Sequence, residues 1–505
     1  MKTTDDLHEL IHSLSRTEKR YVHLYAGLQK GQKEYMVLFR ILDKMPVYDE
    51  QELRQQLQGR PMLKNLPIAR QYLYEHIIHA LREYGAYKDA DSHLTDLIEE
   101  HKVLEYKGLH RQSARVLHRA AQQAQADEAF LRLYYISIRE YIALVYSSGT
   151  VKPGDLDAII LRRHRILEQI ANYSMISDTV FALKIVLRRR QFAYTDKQKE
   201  ELRLLMQPLL SMQSHELLSR TARGIYYIGL SDYYNAIGQP EKAIGLMREY
   251  LAEEYHRKRL TLEMRTQRCA EISAYITLCL RNLILDDVEQ AIEKMRAGIE
   301  WPGITGRRSD VEAGLYIFQR WINHKMMYYN CRRDFQAGWQ LLQEYSPVLA
   351  QWQHTFTEYN RRVLEYARAY MHFCRAEYTQ ALHSINTLLT GSDTESDEAG
   401  FARILELMIH TMLGNQEQLD YFLRNTQHYL RSRHRLYEAE KYMLRILRRI
   451  ATIMQGPAQG RRRKIQNLCR RALPRMEQIT AQTPGKTVLY YLDFATWLRE
   501  TALSD

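Results

Sequence analysis

Chain breakers recur in this 505-residue sequence at nearly even intervals, and that rhythm limits its fold more than any other feature. Turn signals between helical runs fall near Gly108, Val151, Thr195, Gly238, Asp286, Arg333, Ala376, Gly414 and Pro457, spaced 43, 44, 43, 48, 47, 43, 38 and 43 residues apart. Further breakers lie between them: Trp301-Pro302-Gly303, the stretch from Thr390 to Gly400, and Gln207-Pro208 inside a second helix. A fixed period of this length means stacked units, each sealing its neighbour's apolar face. The 22 Gly and 11 Pro are too few for the turns of a sandwich or barrel, or for a Gly-rich nucleotide fold. A 45% hydrophobic content excludes disorder. No uncharged apolar run approaches the roughly 18 residues that cross a bilayer. The expected fold is all-α: about nine antiparallel hairpins of roughly 43 residues each.

The clearest unit runs from Gly224 to about Tyr255. Its first helix carries Tyr227, Leu230, Ser231 and Tyr234, a turn follows at Gly238-Gln239-Pro240, and its second helix carries Ala243, Met247 and Tyr250. These spacings keep the side chains on one stripe. Ser231 and Ala243 are small where two helices approach, and Gly238 suits a left-handed cap. Weaker copies are Tyr275, Leu278, Cys279, Ala291, Met295 and Gly298; Tyr378, Ala381, Ile385 and Leu388; and Leu97, Leu104, Gly108, Ser113, Leu117 and Ala120, with His101 where a small residue belongs. The unit resembles a tetratricopeptide repeat. That resemblance implies a right-handed α-solenoid whose first helices line a concave groove. The period exceeds the roughly 34 residues of a standard repeat of that kind and falls in the HEAT range, so the HEAT alternative stays open.

Residues 1–90 fall outside this rhythm and predict a helical head, with helices over Thr4–Ser13, Arg16–Leu28, Glu34–Lys44, Asp49–Gln58 and Pro67–Tyr84 and a cap at Ser15. Leu14-Ser15-Arg16-Thr17-Glu18-Lys19-Arg20-Tyr21 and Leu66-Pro67-Ile68-Ala69-Arg70-Gln71-Tyr72-Leu73-Tyr74 resemble a family of uncharacterised cytosolic helical proteins of Bacteroidota of about this length. No activity transfers from it. The organisation read from the sequence is a head over 1–90 and a tetratricopeptide-like solenoid over 91–505 with a basic end at 424–475.

Asp5 and Asp6 stand where a signal peptide needs a basic start, so a cytoplasmic location is expected. Cys269, Cys279, Cys331, Cys374 and Cys469 are scattered, which predicts buried thiols and no disulfide framework or zinc site. His8-Glu9-Leu10-Ile11-His12 matches HExxH, yet no third ligand follows from the spacing and Leu7, Leu10, Ile11 and Leu14 form an ordinary stripe. Glu75-His76 with His79 is weaker still. Pairs such as Glu99-Glu100 and Glu253-Glu254 read as solvated faces, as do Arg162-Arg163-His164-Arg165 and Arg188-Arg189-Arg190. No phosphate-binding or nucleophile-elbow motif stands in a strand–turn–helix context. The chain is read as non-catalytic, with no cofactor, metal, membrane or small-molecule substrate.

Charge is local. Between Arg424 and Arg475 fifteen cations (among them Arg431, Arg433, Arg435, Arg445, Arg448, Arg449, Arg461, Arg462, Arg463, Lys464, Arg470 and Arg471) face only Glu438 and Glu440, a net +13 against +12 for the whole chain. Concentrated Arg attracts polyanions or acidic protein surfaces. Tyr is overused, 36 against 11 Phe, often in pairs whose members point about 100° apart, so one packs and the other nears a groove or rim. The leading expectation is a scaffold or adaptor holding a protein or peptide in its concave groove, with Tyr227, Tyr234 and Tyr275 as groove candidates and Tyr227 the more structural. The alternative is an RNA- or ribosome-associated protein using the Arg cluster. Less favoured are a DNA-binding regulator with Pro67–Tyr84 in the groove, and a zinc metalloprotease.

Overall fold

The computed structural model describes residues 6–14, 16–28, 34–84, 90–145, 153–189, 192–193, 195–252, 262–296, 308–390, 396–432, 436–481 and 487–503. The Ser15 cap, the Val151 turn, Trp301-Pro302-Gly303, Glu253-Glu254, Arg190, Arg433 and Arg435 lie outside them. Every regular element among the described residues is helical. The chain divides into two compact units, one built on residues up to Asp96 and one on most of the remainder.

The first unit has helices at Asp6–Ser13, Arg16–Leu28, Tyr35–Lys44, Glu50–Gln56 and Leu66–Glu83. Leu7, Ile11, Val22, Leu38, Phe39, Leu42, Leu53, Leu66, Leu73 and Ile77 form its core. Asp49 caps its helix by accepting from the Gln51 and Glu52 amides.

In the second unit consecutive helices pack as pairs: Arg220–Ala236 with Pro240–Ala252, Leu262–Arg281 with Val288–Arg296, Glu358–Cys374 with Tyr378–Leu389, Asp397–Leu413 with Gln416–Ser432, and Glu438–Gln455 with Arg461–Thr480. First helices also meet the next first helix, as Arg220–Ala236 does with Leu262–Arg281 and Asp397–Leu413 with Glu438–Gln455. The cause is visible in the stripes. Cys269, Ile272, Tyr275, Ile276, Cys279 and Leu280 are buried along one helix, facing Val288, Ala291, Ile292 and Met295 of its partner. Ser219, Thr357 and Ser396 start first helices by accepting an amide three residues on.

The turns sit where the breakers are. Gly108, Gly238, Arg333, Ala376 and Gly414 all have positive φ, and Leu283 and Gly460 do so near Asp286 and Pro457. Thr195 instead forms a capping box with Gln198 at the start of Asp196–Leu210, which contains Pro208. Two helical glycines permit close approach. A Cβ on Gly229 would lie 2.3 Å from Val180 Cγ2, and one on Gly224 2.4 Å from Glu271 Oε1. The His101 ring, 1% exposed, is accommodated because Ser113 faces it: Nδ1 lies 2.8 Å from the Ser113 hydroxyl, and Arg139 donates to Nε2.

The helix Pro153–Arg189 is the longest described. Within it, Gly154–Arg188 holds an 18-residue window of mean hydropathy 1.3 with at most two charged residues, which by length and composition alone suffices to cross a membrane. This qualifies the sequence reading, which counted only uncharged runs. Here the helix packs against Phe130–Val145, Asp196–Leu210 and Arg220–Ala236, and Arg162 pairs with Glu140.

The end of the chain returns to the middle. The turn Val488–Tyr491 packs on Leu262–Arg281, and Phe494–Leu503 packs on Arg461–Thr480. Val488, Tyr490, Tyr491, Leu492, Phe494, Trp497 and Leu498 are all buried. The Tyr490-Tyr491 pair therefore departs from the one-in, one-out expectation, because this single turn is enclosed on both sides. Tyr491 stacks on Phe401 at 4.4 Å and meets Tyr366 edge-on at 5.8 Å.

Candidate functional site

Tyr227 stacks on Tyr250 at 4.8 Å and 16°, half-buried between the two helices of its hairpin. Tyr234 is half-buried under the Lys242 ammonium, 4.0 Å from the ring centre. Tyr275 is 4% exposed, and burial, with Cys279 beside it, pushes its hydroxyl up to about 12. All three sit in helix packing, and Tyr275 presents no side-chain face to a groove.

The polar chemistry gathers elsewhere, in a chamber of about 460 Å³ where five helices of the second unit converge. Lys184 and Arg188 come from Pro153–Arg189, Asp232 and Asn235 from Arg220–Ala236, Arg281 from the end of Leu262–Arg281, and Tyr359 and Arg362 from the start of Glu358–Cys374. Ser396, Asp397 and Glu398 come from the start of Asp397–Leu413, and Thr487 from the returning end of the chain. The side chains interlock. Arg281 Nη2 lies 3.5 Å from Asp397 Oδ2 and donates to the Tyr491 hydroxyl at 3.1 Å. Lys184 Nζ lies 4.0 Å from Asp232 Oδ2, and Arg362 pairs with Glu358 at 3.2 Å.

This environment is desolvating yet accessible. Tyr359 is 52% exposed, but burial, with Glu398 nearby, pushes its hydroxyl up to about 12. The two facts agree when the ring edge is open to solvent while the hydroxyl end lies among the chamber's packed side chains. Burial also raises the Asp232 carboxyl, against the pull of Lys184 and Arg281. Burial and neighbouring Asp397 raise the Glu398 carboxyl. Thr487 is 4% exposed and its Oγ1 has no hydrogen-bond partner among the described residues; Arg281 Nε has none either. Of these residues the sequence reading named only Arg188, as part of a solvated run, and passed over Ser396, Asp397 and Glu398 inside the Thr390–Gly400 breaker. The chamber residues stand up to 303 positions apart, on helices with no local signature.

The described basic residues of the C-terminal cluster lie on Gln416–Ser432, Glu438–Gln455 and Arg461–Thr480. Arg431, Arg445, Arg448, Arg449, Arg462, Arg463, Lys464, Arg470 and Arg471 are exposed. Arg461 is half-buried and donates to the Gly456 carbonyl at 2.6 Å. The HExxH histidines are engaged in packing: His8 Nε2 lies 2.7 Å from the Met45 carbonyl and His12 Nε2 3.0 Å from that of Leu42, so both rings cap the end of Tyr35–Lys44. Among the described residues no three His, Cys, Asp or Glu side chains gather as a metal site. In Leu66–Glu83, Arg70 donates to the Tyr48 hydroxyl, and the exposed face carries Ile68 and Tyr72. All five thiols are free, and burial pushes them up to about 11 to 12.

Compared with protein-family models, curated proteins and solved structures, the chain shows no match. The described residues thus define an all-helical protein of paired helices with a charged, half-open chamber.

Proposed function

We propose that the protein is a non-catalytic scaffold or adaptor, a tetratricopeptide-like right-handed α-solenoid that holds an extended protein segment along the inner side of its first helices. One observation carries this reading. Five such helices each send at least one charged side chain into the same chamber, which mixes Lys184, Arg281 and Arg362 with Asp232, Asp397 and the accessible ring of Tyr359. Repeat surfaces bind extended chains through many modest contacts contributed by successive units. Mixed charge in a half-open chamber favours a segment with both an acidic and a basic side chain, because each then gains a partner of opposite sign. The returning end of the chain forms one wall. With seven large side chains buried there, releasing it costs several kcal/mol, so it is a fixed wall and no lid.

The reading is tested by placing a photoreactive phenylalanine at position 359 of the full chain and irradiating cells. Polypeptide adducts that disappear when Asp232→Lys is added support it. Adducts indifferent to that charge reversal, or none at all, sink it.

A further inference from the structure

Beyond the chamber, the basic end of the chain contains a second, separate cleft of about 690 Å³ between Gln416–Ser432 and Glu438–Gln455. Arg431 lines one wall; Lys441, Arg445 and Arg448 line the other, at i, i+4 and i+7, in a row about 10 Å long. Among the described residues no carboxylate lines the cleft. The described acids nearby are engaged elsewhere: Glu438 pairs with Arg475, Glu477 with Arg499, Asp420 accepts from Gln455, and Glu440 is buried. Arg448 is steadied by a neutral group, donating to Gln427 Oε1 at 2.7 Å, and makes no ion pair among the described residues. Beyond the cleft, Arg463 and Arg470, and Lys464 and Arg471, extend the field at i, i+7 spacing along Arg461–Thr480.

A second feature separates a nucleic acid from an acidic protein as the occupant. The exposed side of Gln416–Ser432 carries Tyr421, Arg424, His428 and Arg431 at i, i+3, i+7 and i+10, so flat rings alternate with cations on one stripe. Tyr421 is 60% exposed. A purely acidic peptide such as poly-glutamate uses only the cations. Exposed rings set between Arg side chains are what a single strand needs, with bases stacked on rings and phosphates on cations. A cleft walled by two adjacent helices also admits one strand more readily than a duplex. We infer that this cleft and the Tyr421–Arg431 stripe form a binding site for a single-stranded polynucleotide, gripped through its phosphates and stacked on Tyr421.

The test is fluorescence anisotropy on the full chain with labelled oligo(U), oligo(dT) and poly-glutamate of matched charge, across a salt series. Both oligonucleotides bind, and log K falls linearly with log salt. A gain for oligo(U) over oligo(dT) assigns the site to RNA, and equal binding assigns it to single strands of either kind. The triple change Lys441→Gln, Arg445→Gln, Arg448→Gln reduces the steepness of the oligonucleotide salt slope by about 2, at roughly 0.7 per phosphate contact. Tyr421→Ala weakens oligonucleotide binding roughly 5- to 100-fold and leaves poly-glutamate unchanged. Lys197→Gln with Lys199→Gln, exposed on another helix, changes neither. Because all substituted side chains are exposed, circular dichroism of each variant matches the parent. An unaltered slope in the triple variant overturns the proposal. So does poly-glutamate binding as tightly as the oligonucleotides with no effect of Tyr421→Ala, which assigns the cleft to an acidic protein surface.

Discussion

The Tyr366 hydroxyl donates to the Tyr491 carbonyl at 2.9 Å, joining positions 125 residues apart in a fully buried contact. This bond fixes the end of the chain to its middle, and with it one wall of the chamber. Tyr366→Phe leaves the carbonyl without its donor in a site water does not reach, at a cost of about 1–3 kcal/mol. Tyr491→Ala also removes the stack on Phe401 and costs about 3–5 kcal/mol. Urea unfolding followed by circular dichroism reads both. If Tyr491→Ala costs no more than a surface change, the returning segment is not part of the core.

The glycines make predictions of opposite sign. Gly229→Ala drives a methyl onto Val180 between two packed helices and destabilises by about 1–3 kcal/mol. Gly245→Ala sits in Pro240–Ala252 with nothing within 4 Å of the new Cβ, and stabilises by about 0.5–1 kcal/mol through helix propensity. Melting temperatures that move in opposite directions confirm the packing; the same direction for both contradicts it.

Two buried groups oppose each other in pH dependence. Burial pushes the Glu440 carboxyl up to about 7, with Asp397 adding and backbone amides and Lys441 opposing. Its folded pKa exceeds the unfolded one, so the folded chain holds the proton more tightly. That stabilisation is present near pH 4 and is lost as pH rises to about 7. Burial, aided by Arg320, lowers His324 to about 3, so the unfolded chain takes up the proton first and stability falls below about pH 6.5. Glu440→Gln therefore gains on the parent as pH rises, by up to about 3 kcal/mol at pH 8. His324→Gln gains as pH falls, by about 2 kcal/mol at pH 5. Urea midpoints at pH 5, 6.5 and 8 distinguish these trends from a pH-independent difference.

For His8, the capping geometry predicts a structural effect and no metal dependence. His8→Ala removes the bond to the Met45 carbonyl and costs about 1–3 kcal/mol, read as a lowered unfolding midpoint. Stoichiometric zinc in purified protein, lost on the same substitution, would falsify the capping role.

Helix positions were legible because their causes are local. The helix expected over Pro67–Tyr84 is observed as Leu66–Glu83. Five of the nine turns read from the sequence carry positive φ at the named residue, including Arg333 and Ala376, which lack glycine's freedom but stand where two stripes must reverse. The chamber was not legible. Asp397 and Glu200 look alike as acids near a helix start, yet Asp397 meets Arg281 and Tyr491, while Glu200 pairs with Arg203 on the surface. Nothing within ten residues of either tells them apart.

Periodicity, caps and breakers thus determined from the sequence alone that this chain is helical, where its helices start and turn, and which stripe each one buries, because those properties depend on neighbours one or two turns away. Only tertiary structure decided that Tyr275 is core and Tyr359 accessible, that Arg188 faces a chamber, and that the last residues close on the middle. Those outcomes depend on which distant helices meet, and the desolvation that changes a side chain's chemistry arises only once they have met.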